Sequence, residues 1–295
     1  MIRPLLRVLI LLLNFGLLLF SSTIVCADQI QDFRGRTLRL DPTPQRIVAL
    51  MPALAEAIID LGAGSRLIGA PEYTTIPQVL QKRIQILGPY TRLSAELIYS
   101  LKPDAVIASM DGNDQAVVKQ LDSLGVKTIV VNTTSLKEIL STLEILTQLT
   151  AMKGKQSALI QDLKNEMNKK PKKFKDDRAP QVFVQIGWDP LISISDQTFI
   201  GEMISKIGGI NLFSKSTDKY PRINPEEVIA RKPDVIILCR LTPVGHEVEK
   251  AIAFWKQFPQ IPAVASGRIH IMPMNWLTKP GFSLIKGFQE LRRIL

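Results

Sequence analysis

The sequence predicts an α/β protein of two similar lobes, each with a central, mostly parallel sheet flanked by helices, joined by one long α-helix. Three observations carry this. First, the stretch Ser94-Ala95-Glu96-Leu97-Ile98-Tyr99-Ser100-Leu101-Lys102-Pro103-Asp104-Ala105-Val106-Ile107 returns 130 positions later as Asn224-Pro225-Glu226-Glu227-Val228-Ile229-Ala230-Arg231-Lys232-Pro233-Asp234-Val235-Ile236-Ile237. Each copy reads as cap, short helix, Lys-Pro-Asp turn and apolar strand. A unit repeated once at that distance marks two equivalent lobes, whereas a solenoid shows several short periods. Second, apolar strand-length runs alternate with helical patterns, as in a parallel sheet covered on both faces. Third, helical periodicity runs between the copies without proline until Pro171. Two facing lobes leave a cleft, and clefts between lobes are where small ligands bind.

The elements follow in chain order. Arg3 and Arg7 precede an apolar run from Val8 to Phe20, and Val25 and Ala27 fit cleavage after Ala27. Residues 1–27 are therefore expected to be a cleaved signal peptide. An uncleaved anchor is the alternative, although the run is shorter than the roughly 20 residues a spanning helix needs. A lipidated Cys26 is another, with Val25 bulky for such a site. Asp32 to Leu40 alternates around Gly35 and reads as a hairpin. Arg46 to Leu50 is a buried strand. Pro52 starts a helix through Leu61, closed by Gly62 and Gly64. Arg66 to Ala70 is the next strand, followed by the first repeat copy, a helix from about Asp114 to Leu124, and a strand from Val126 to Val131.

The N-terminal lobe is expected over 28–134 and the connecting helix over 135–170. Leu136, Ile139, Leu140, Leu143 and Leu146 recur at helical spacing, and Leu159, Leu163 and Met167 continue it beyond Gly154. One helix of about 35 residues would span roughly 50 Å, with Gly154 as its bend. Two shorter helices are the alternative. The C-terminal lobe, 171–295, opens with the strand Gln181 to Ile186. A helix from Thr198 to Ile207 ends at Gly208-Gly209, echoing the helix closed by Gly62. The second repeat copy, a helix around Val248 to Gln257, the strand Arg268 to Met272 and a final helix from about Gly281 complete it.

Composition narrows the function. The formal charge is +10, and it falls to +8 when Arg3 and Arg7 leave with the signal peptide. The basic residues are scattered apart from one cluster over 169–175, which reads as a solvated connector. With export expected, nucleic-acid binding is set aside. After cleavage only Cys239 remains, so no internal disulfide forms; in its apolar strand it reads as a small hydrophobe. Two histidines and no acidic-histidine cluster argue against a dedicated zinc or manganese site. No Gly-x-Gly-x-x-Gly after a strand, no phosphate loop and no Gly-x-Ser-x-Gly elbow occurs. The chain is therefore expected not to be an enzyme, and a carrier or a receptor-presenting sensor fits better.

Several stretches carry a resemblance: Gly35-Arg36 with Pro44-Gln45-Arg46-Ile47-Val48-Ala49-Leu50, Leu61-Gly62-Ala63-Gly64 with Leu67-Ile68-Gly69, Leu101-Lys102-Pro103-Asp104-Ala105-Val106-Ile107, and Lys279-Pro280-Gly281 before the last helix. In order and spacing these resemble the periplasmic binding proteins for cobalamin and ferric siderophores that serve ABC importers, most of all the vitamin B12-binding type. The resemblance covers essentially the whole chain beyond residue 27. It implies a periplasmic monomer that captures a large, rigid ligand with modest lobe closure and delivers it to a dimeric ABC permease at the membrane. No cofactor is implied.

The resemblance also assigns residues. Glu96 and Glu226 hold the same place in the two copies, where the family pairs an acid of each lobe with a permease arginine. An acid in a helix's first turn is also favoured by the macrodipole alone. Tyr90 and Tyr220 each precede those acids by six residues and match aromatic positions of cobalamin binders. Flat macrocycles suit rigid aromatic faces, and partly exposed loop tyrosines are the bland reading. Tyr73 matches another pocket aromatic, and Trp188 approximately matches a third, beyond a strand's carboxyl end. Trp276 and Asn275 lie in a loop placed to line the same cleft. Cobalamin binders carry an acid and an arginine in that loop, where this chain has Met274-Asn275-Trp276-Leu277-Thr278-Lys279. Corrinoid, ferric siderophore and haem therefore all stay open. Arg222 and Arg240 are candidates for an anionic chelate, and His246 is either a haem ligand or a solvated loop residue. His270, inside a strand, reads as structural.

Overall fold

The computed structural model describes residues 29–151, 155–174, 178–240 and 247–295. The expected signal peptide with Cys26, the bend at Gly154 and His246 lie outside the described residues. The first lobe begins with a hairpin of β1 (Gln29–Gln31) and β2 (Thr37–Arg39), Ile30 opposite Leu38. Asp32, buried under its turn, receives Arg34 Nε at 3.0 Å and Arg36 Nε at 3.3 Å. Both guanidinium groups continue to Asp122 and to the Thr128 carbonyl. The hairpin is thus stapled to the edge of the main sheet, where Phe33 N donates to Val130 O.

The rest of the lobe is β3 (Ile47–Ala49), α1 (Pro52–Asp60), β4 (Leu67–Ala70), α2 (Gln78–Gln81), β5 (Gln85–Ile86), α3 (Ala95–Ser100), β6 (Ala105–Ser109), α4 (Gln115–Ser123) and β7 (Thr128–Val131). Its five strands lie in the order β5-β4-β3-β6-β7, all parallel. Two helices follow, α5 (Leu136–Thr150) and α6 (Lys155–Asn168). The second lobe contains β8 (Gln181–Gln185), α7 (Phe199–Ile207), β9 (Ile210–Asn211), α8 (Pro225–Arg231), β10 (Val235–Arg240), α9 (Glu247–Trp255), α10 (Pro262–Ala265), β11 (Ile269–Pro273), α11 (Met274–Thr278) and α12 (Leu284–Ile294). Its four parallel strands run β11-β10-β8-β9.

The repeat has a structural reason. Its two copies fall in different sheets, one as α3 and β6, the other as α8 and β10. Lys102 and Lys232 both adopt left-handed backbone, φ 48° and 49°, which ends each helix ahead of its proline. The aspartate that follows then grips the neighbouring strand. Asp104 Oδ2 accepts from Gln45 N and Arg46 N, each at 2.8 Å. Asp234 Oδ2 accepts from Gln181 N at 2.8 Å while its other oxygen receives Arg178 at 2.6 Å. In both lobes the Lys-Pro-Asp turn therefore sets the register between the central pair of strands. Those pairs, β3 with β6 and β8 with β10, are also where strand order reverses, the place ligands favour in open α/β sheets.

The connector corrects the expectation of one helix over 135–170. Ala151 is left-handed, φ 45° and ψ 27°, and ends α5. Lys164 Nζ then meets Glu144 Oε1 at 2.9 Å, although 20 residues of one continuous helix would separate them by about 30 Å. The two helices fold back as a hairpin. The cause is apolar: Leu146 and Leu149 of α5 are buried in the same cluster as Ile160 and Leu163 of α6. A single straight rod would leave part of that surface in water. α5 itself packs on α1 of the first lobe and α7 of the second, so the bridging role falls to the first helix.

Both lobes contribute to one hydrophobic cluster through these helices, with Leu54, Leu143, Met203 and Leu291 among its members. Two smaller clusters fill the opposite face of each sheet, one around Leu50, Ile98 and Leu121, the other around Phe183, Val228 and Trp255. At the N-terminus of α5, Ser135 and Glu138 form a reciprocal capping box. Leu136 N donates to Glu202 Oε2 of α7 at 3.0 Å, tying the second lobe to the same turn. Burial pushes the Glu138 carboxyl up, but hydrogen bonds from Thr134 and Ser135 and the nearby charge of Lys219 outweigh it, leaving it below the usual glutamate value.

Candidate functional site

In the first lobe Asn113 organises the carboxyl ends of β3 and β6. Its side-chain oxygen accepts from Ser109 N at 2.8 Å, and its nitrogen donates to Leu50 O at 2.9 Å and Tyr90 O at 3.4 Å. One buried amide thus ties two strand ends to the loop that carries Tyr90. Next to it Asp111 accepts from Ser109 Oγ at 2.6 Å. Sequence reading passed over Asn113; its only signal is an Asn-Asp pair ahead of a helix.

In the second lobe the loop carrying Tyr220 is laced to the segment after β8. Ser195 N donates to Lys219 O, Ser193 N to Pro221 O, and Ile223 N to Leu191 O, all at 3.0 Å. Tyr220 is 48% exposed. Partial burial first, then the charge of Asp111 and the proximity of Tyr90, raise its hydroxyl above the usual tyrosine value. Asp111 and Tyr90 belong to the opposite lobe. The Tyr220 hydroxyl therefore lies within electrostatic range of its repeat counterpart and of one carboxylate of the other lobe.

Trp188 follows β8 and stands edge-on to Phe254, ring centroids 5.4 Å apart. It lines a cavity of ≈ 240 Å³ together with Gln185, Leu238, Cys239, Glu247 and Met274, at the carboxyl ends of β8 and β10. Burial pushes the Cys239 thiol up to about 12, so it stays neutral and acts as wall. The other candidates are dispersed. Tyr73, left-handed at φ 63° and 79% exposed, offers its carbonyl to Lys279 Nζ at 3.3 Å. Lys279 also reaches Glu56 Oε1 at 2.5 Å, linking the loop before α12 to α1. Trp276 belongs to α11 and packs against the shared core, with Lys286 Nζ 5.9 Å above its ring. Asn275 is exposed. Met274, rather than Asn275 or Trp276, is the residue of that segment on the cavity wall.

Glu96 and Glu226 are both exposed and both second in their helices, α3 and α8. Among the described residues neither has a basic side chain within 4 Å, and every other acid–base pair lies elsewhere. Arg240 is engaged by Glu249 at 3.1 Å, and Arg222 is exposed. Burial and the charges of Arg293 and Arg268 lower His270 below the usual histidine value. Among the described residues no three metal-binding side chains cluster, and no helix is long and apolar enough to cross a membrane.

Two parallel-sheet lobes, each with loops gathered at the carboxyl ends of its central strands, have the architecture of two-lobe ligand-binding proteins. The model of the periplasmic binding protein family matches residues 47–275, and the chain belongs to that family. It is 27% identical to the vitamin B12-binding protein of Yersinia pestis (strain Pestoides F) over 247 residues, 84% of this chain and 85% of that one. Among solved structures it is similar to the periplasmic vitamin B12 binding protein BtuF of Vibrio cholerae, with a TM-score of 0.71, 23% identity, and coverage of 85% of this chain and 96% of that one. The periplasmic heme-binding protein RhuT from Roseiflexus sp. RS-1 is as near in fold, with a TM-score of 0.70, 24% identity, and coverage of 85% and 97%. These likenesses give the fold, and the fold accommodates more than one macrocycle.

Proposed function

We propose that this chain is the substrate-binding protein of an ABC importer, capturing a cobalamin-like corrinoid in the periplasm and handing it to the permease dimer. The observation that carries the reading is that each lobe presents its repeat-related tyrosine from a loop tied to the carboxyl ends of the central strands, Tyr90 through Asn113 and Tyr220 through Ser193 and Ser195, with the Tyr220 hydroxyl in electrostatic range of the other lobe. Two rings from opposite lobes suit the edge of a flat, rigid macrocycle, and each adds contact area at little entropic cost. The extent of the match to a curated vitamin B12-binding protein supports the same choice. Trp188, on the wall of the second lobe's cavity, adds an aromatic face, while Tyr73, Asn275 and Trp276 are assigned to the same site by the resemblance alone. Glu96 and Glu226, unpaired and one per lobe, are the docking acids for arginines of the permease, where complementary charge fixes orientation and on-rate.

For the ferric-siderophore alternative, Arg240 is held by Glu249 while Arg222 is exposed; for the haem alternative, His246 lies outside the described residues. The test is an absorbance spectrum of protein exposed separately to cyanocobalamin, hemin and a ferric hydroxamate siderophore, then desalted. Retention of the corrinoid spectrum at one ligand per chain is expected. Retention of hemin or ferric chelate alone overturns the corrinoid assignment while leaving the carrier role standing.

A further inference from the structure

The cavity in the second lobe is lined by a buried side-chain amide that makes one of its four hydrogen bonds. Gln185, the last residue of β8, is only 4% exposed. Trp255 Nε1 donates to its Oε1 at 2.8 Å. An indole N–H can only donate, so this bond fixes which end of the amide is oxygen and turns the nitrogen away. Among the described residues no acceptor meets Gln185 Nε2. Gln185 lines the cavity, so the free N–H₂ opens into it.

The walls narrow what can enter. Ile186, Trp188, Leu238, Val248, Ala251 and Met274 are apolar, and among the described residues the one carboxylate is Glu247 at the exposed start of α9. The Cys239 thiol adds no charge. At ≈ 240 Å³ the space is below the roughly 300–1,000 Å³ of a whole small-molecule pocket. It suits a side arm, not the body of a macrocycle.

We propose that this recess is a specificity subsite, in which Gln185 Nε2 donates to a neutral carbonyl oxygen at the end of an apolar arm of the ligand. Glu247 disfavours an arm ending in a carboxylate, and a buried donor strongly favours an arm that ends in an acceptor. An amide-armed macrocycle is thereby preferred over a carboxylate-armed one. This rests on the corrinoid reading above and adds to it the part of the ligand that is recognised.

The probe is cyanocobalamin, whose rim carries primary amides, titrated calorimetrically into wild type, Gln185→Met and Ala251→Leu. The first variant removes the donor at nearly constant volume. The second fills the recess from α9 and leaves the Gln185–Trp255 bond intact, so it remains informative if loss of that bond unfolds the first. Each is expected to bind roughly tenfold more weakly, the worth of about one well-placed hydrogen bond. Wild-type binding with affinity unchanged in the folded variants overturns the subsite alone. Failure of wild type to bind cyanocobalamin overturns the corrinoid reading and the subsite with it.

Discussion

The two lobes share a framework and differ where they face the cleft. Behind the cleft they are built alike: a left-handed lysine, a proline and a strand-gripping aspartate at Lys102-Pro103-Asp104 and again at Lys232-Pro233-Asp234. At the strand ends they part. The first lobe presents a polar bracket of Asn113, Ser109 and Asp111 beneath Tyr90. The second presents Tyr220, Trp188 and an apolar recess with a single free amide. Duplication supplied the symmetric scaffold, and divergence of the side chains at the strand ends made an asymmetric binding surface. An asymmetric ligand needs that, whereas the features that stayed equivalent, Glu96 and Glu226, are the ones proposed above to meet a symmetric permease dimer.

The comparison can be broken at several points. The largest effect is expected at the matched acids. Glu96→Lys combined with Glu226→Lys should reduce ligand uptake in cells to the level of a strain lacking the protein, with binding affinity of the purified protein unchanged. Normal uptake would remove the docking role. Next are the two aspartates. Asp234 is buried and Asp104 exposed, so the equivalent bonds should not be equally valuable. Asp234→Ala should cost about 2 kcal/mol in urea unfolding and Asp104→Ala about 1 kcal/mol. Equal losses would mean that solvent screening does not separate the lobes.

Smaller still is the inter-lobe pair of Lys279 and Glu56, with side chains 23% and 18% exposed. Lys279→Met and Glu56→Gln should each destabilise by about 1 kcal/mol, with the double variant no worse than either alone. The least effect concerns pH. Glu138 has a lowered value in the folded protein, so its stabilisation is present above the ordinary 4.5 and is lost as pH falls through the folded value. Glu138→Gln should therefore flatten the acid limb of a melting-temperature profile below about pH 4.5 and leave its slope near neutrality unchanged.

Most of the framework was legible in the sequence because it is written in local chemistry. Pro52, Asp114 and Thr198 begin helices, Gly62 and Gly208 end them in left-handed backbone, and buried strands are runs of Val, Ile and Ala. The strands β5 and β9 were missed because each is two residues long at a sheet edge, with no alternation to read. The helical hairpin was misread as one rod because nothing local marks Ala151 as a stop. Its break is set by apolar surfaces of α5 and α6 meeting in three dimensions, a tertiary choice that periodicity does not encode. Tyr90 and Tyr220 were singled out through the repeat, which carries position as well as composition. Asn113 and Gln185 were not, since a polar residue inside a strand or before a helix signals nothing until its partners are known.

The most direct test of the shared cleft is calorimetric titration of cyanocobalamin into wild type, Tyr90→Ala and Tyr220→Ala. One ligand per chain is predicted, with each substitution weakening binding by about 2 kcal/mol, roughly thirtyfold, because a ring is withdrawn from one side of a single site. Undiminished affinity in both variants would place the ligand away from these two tyrosines and contradict the account.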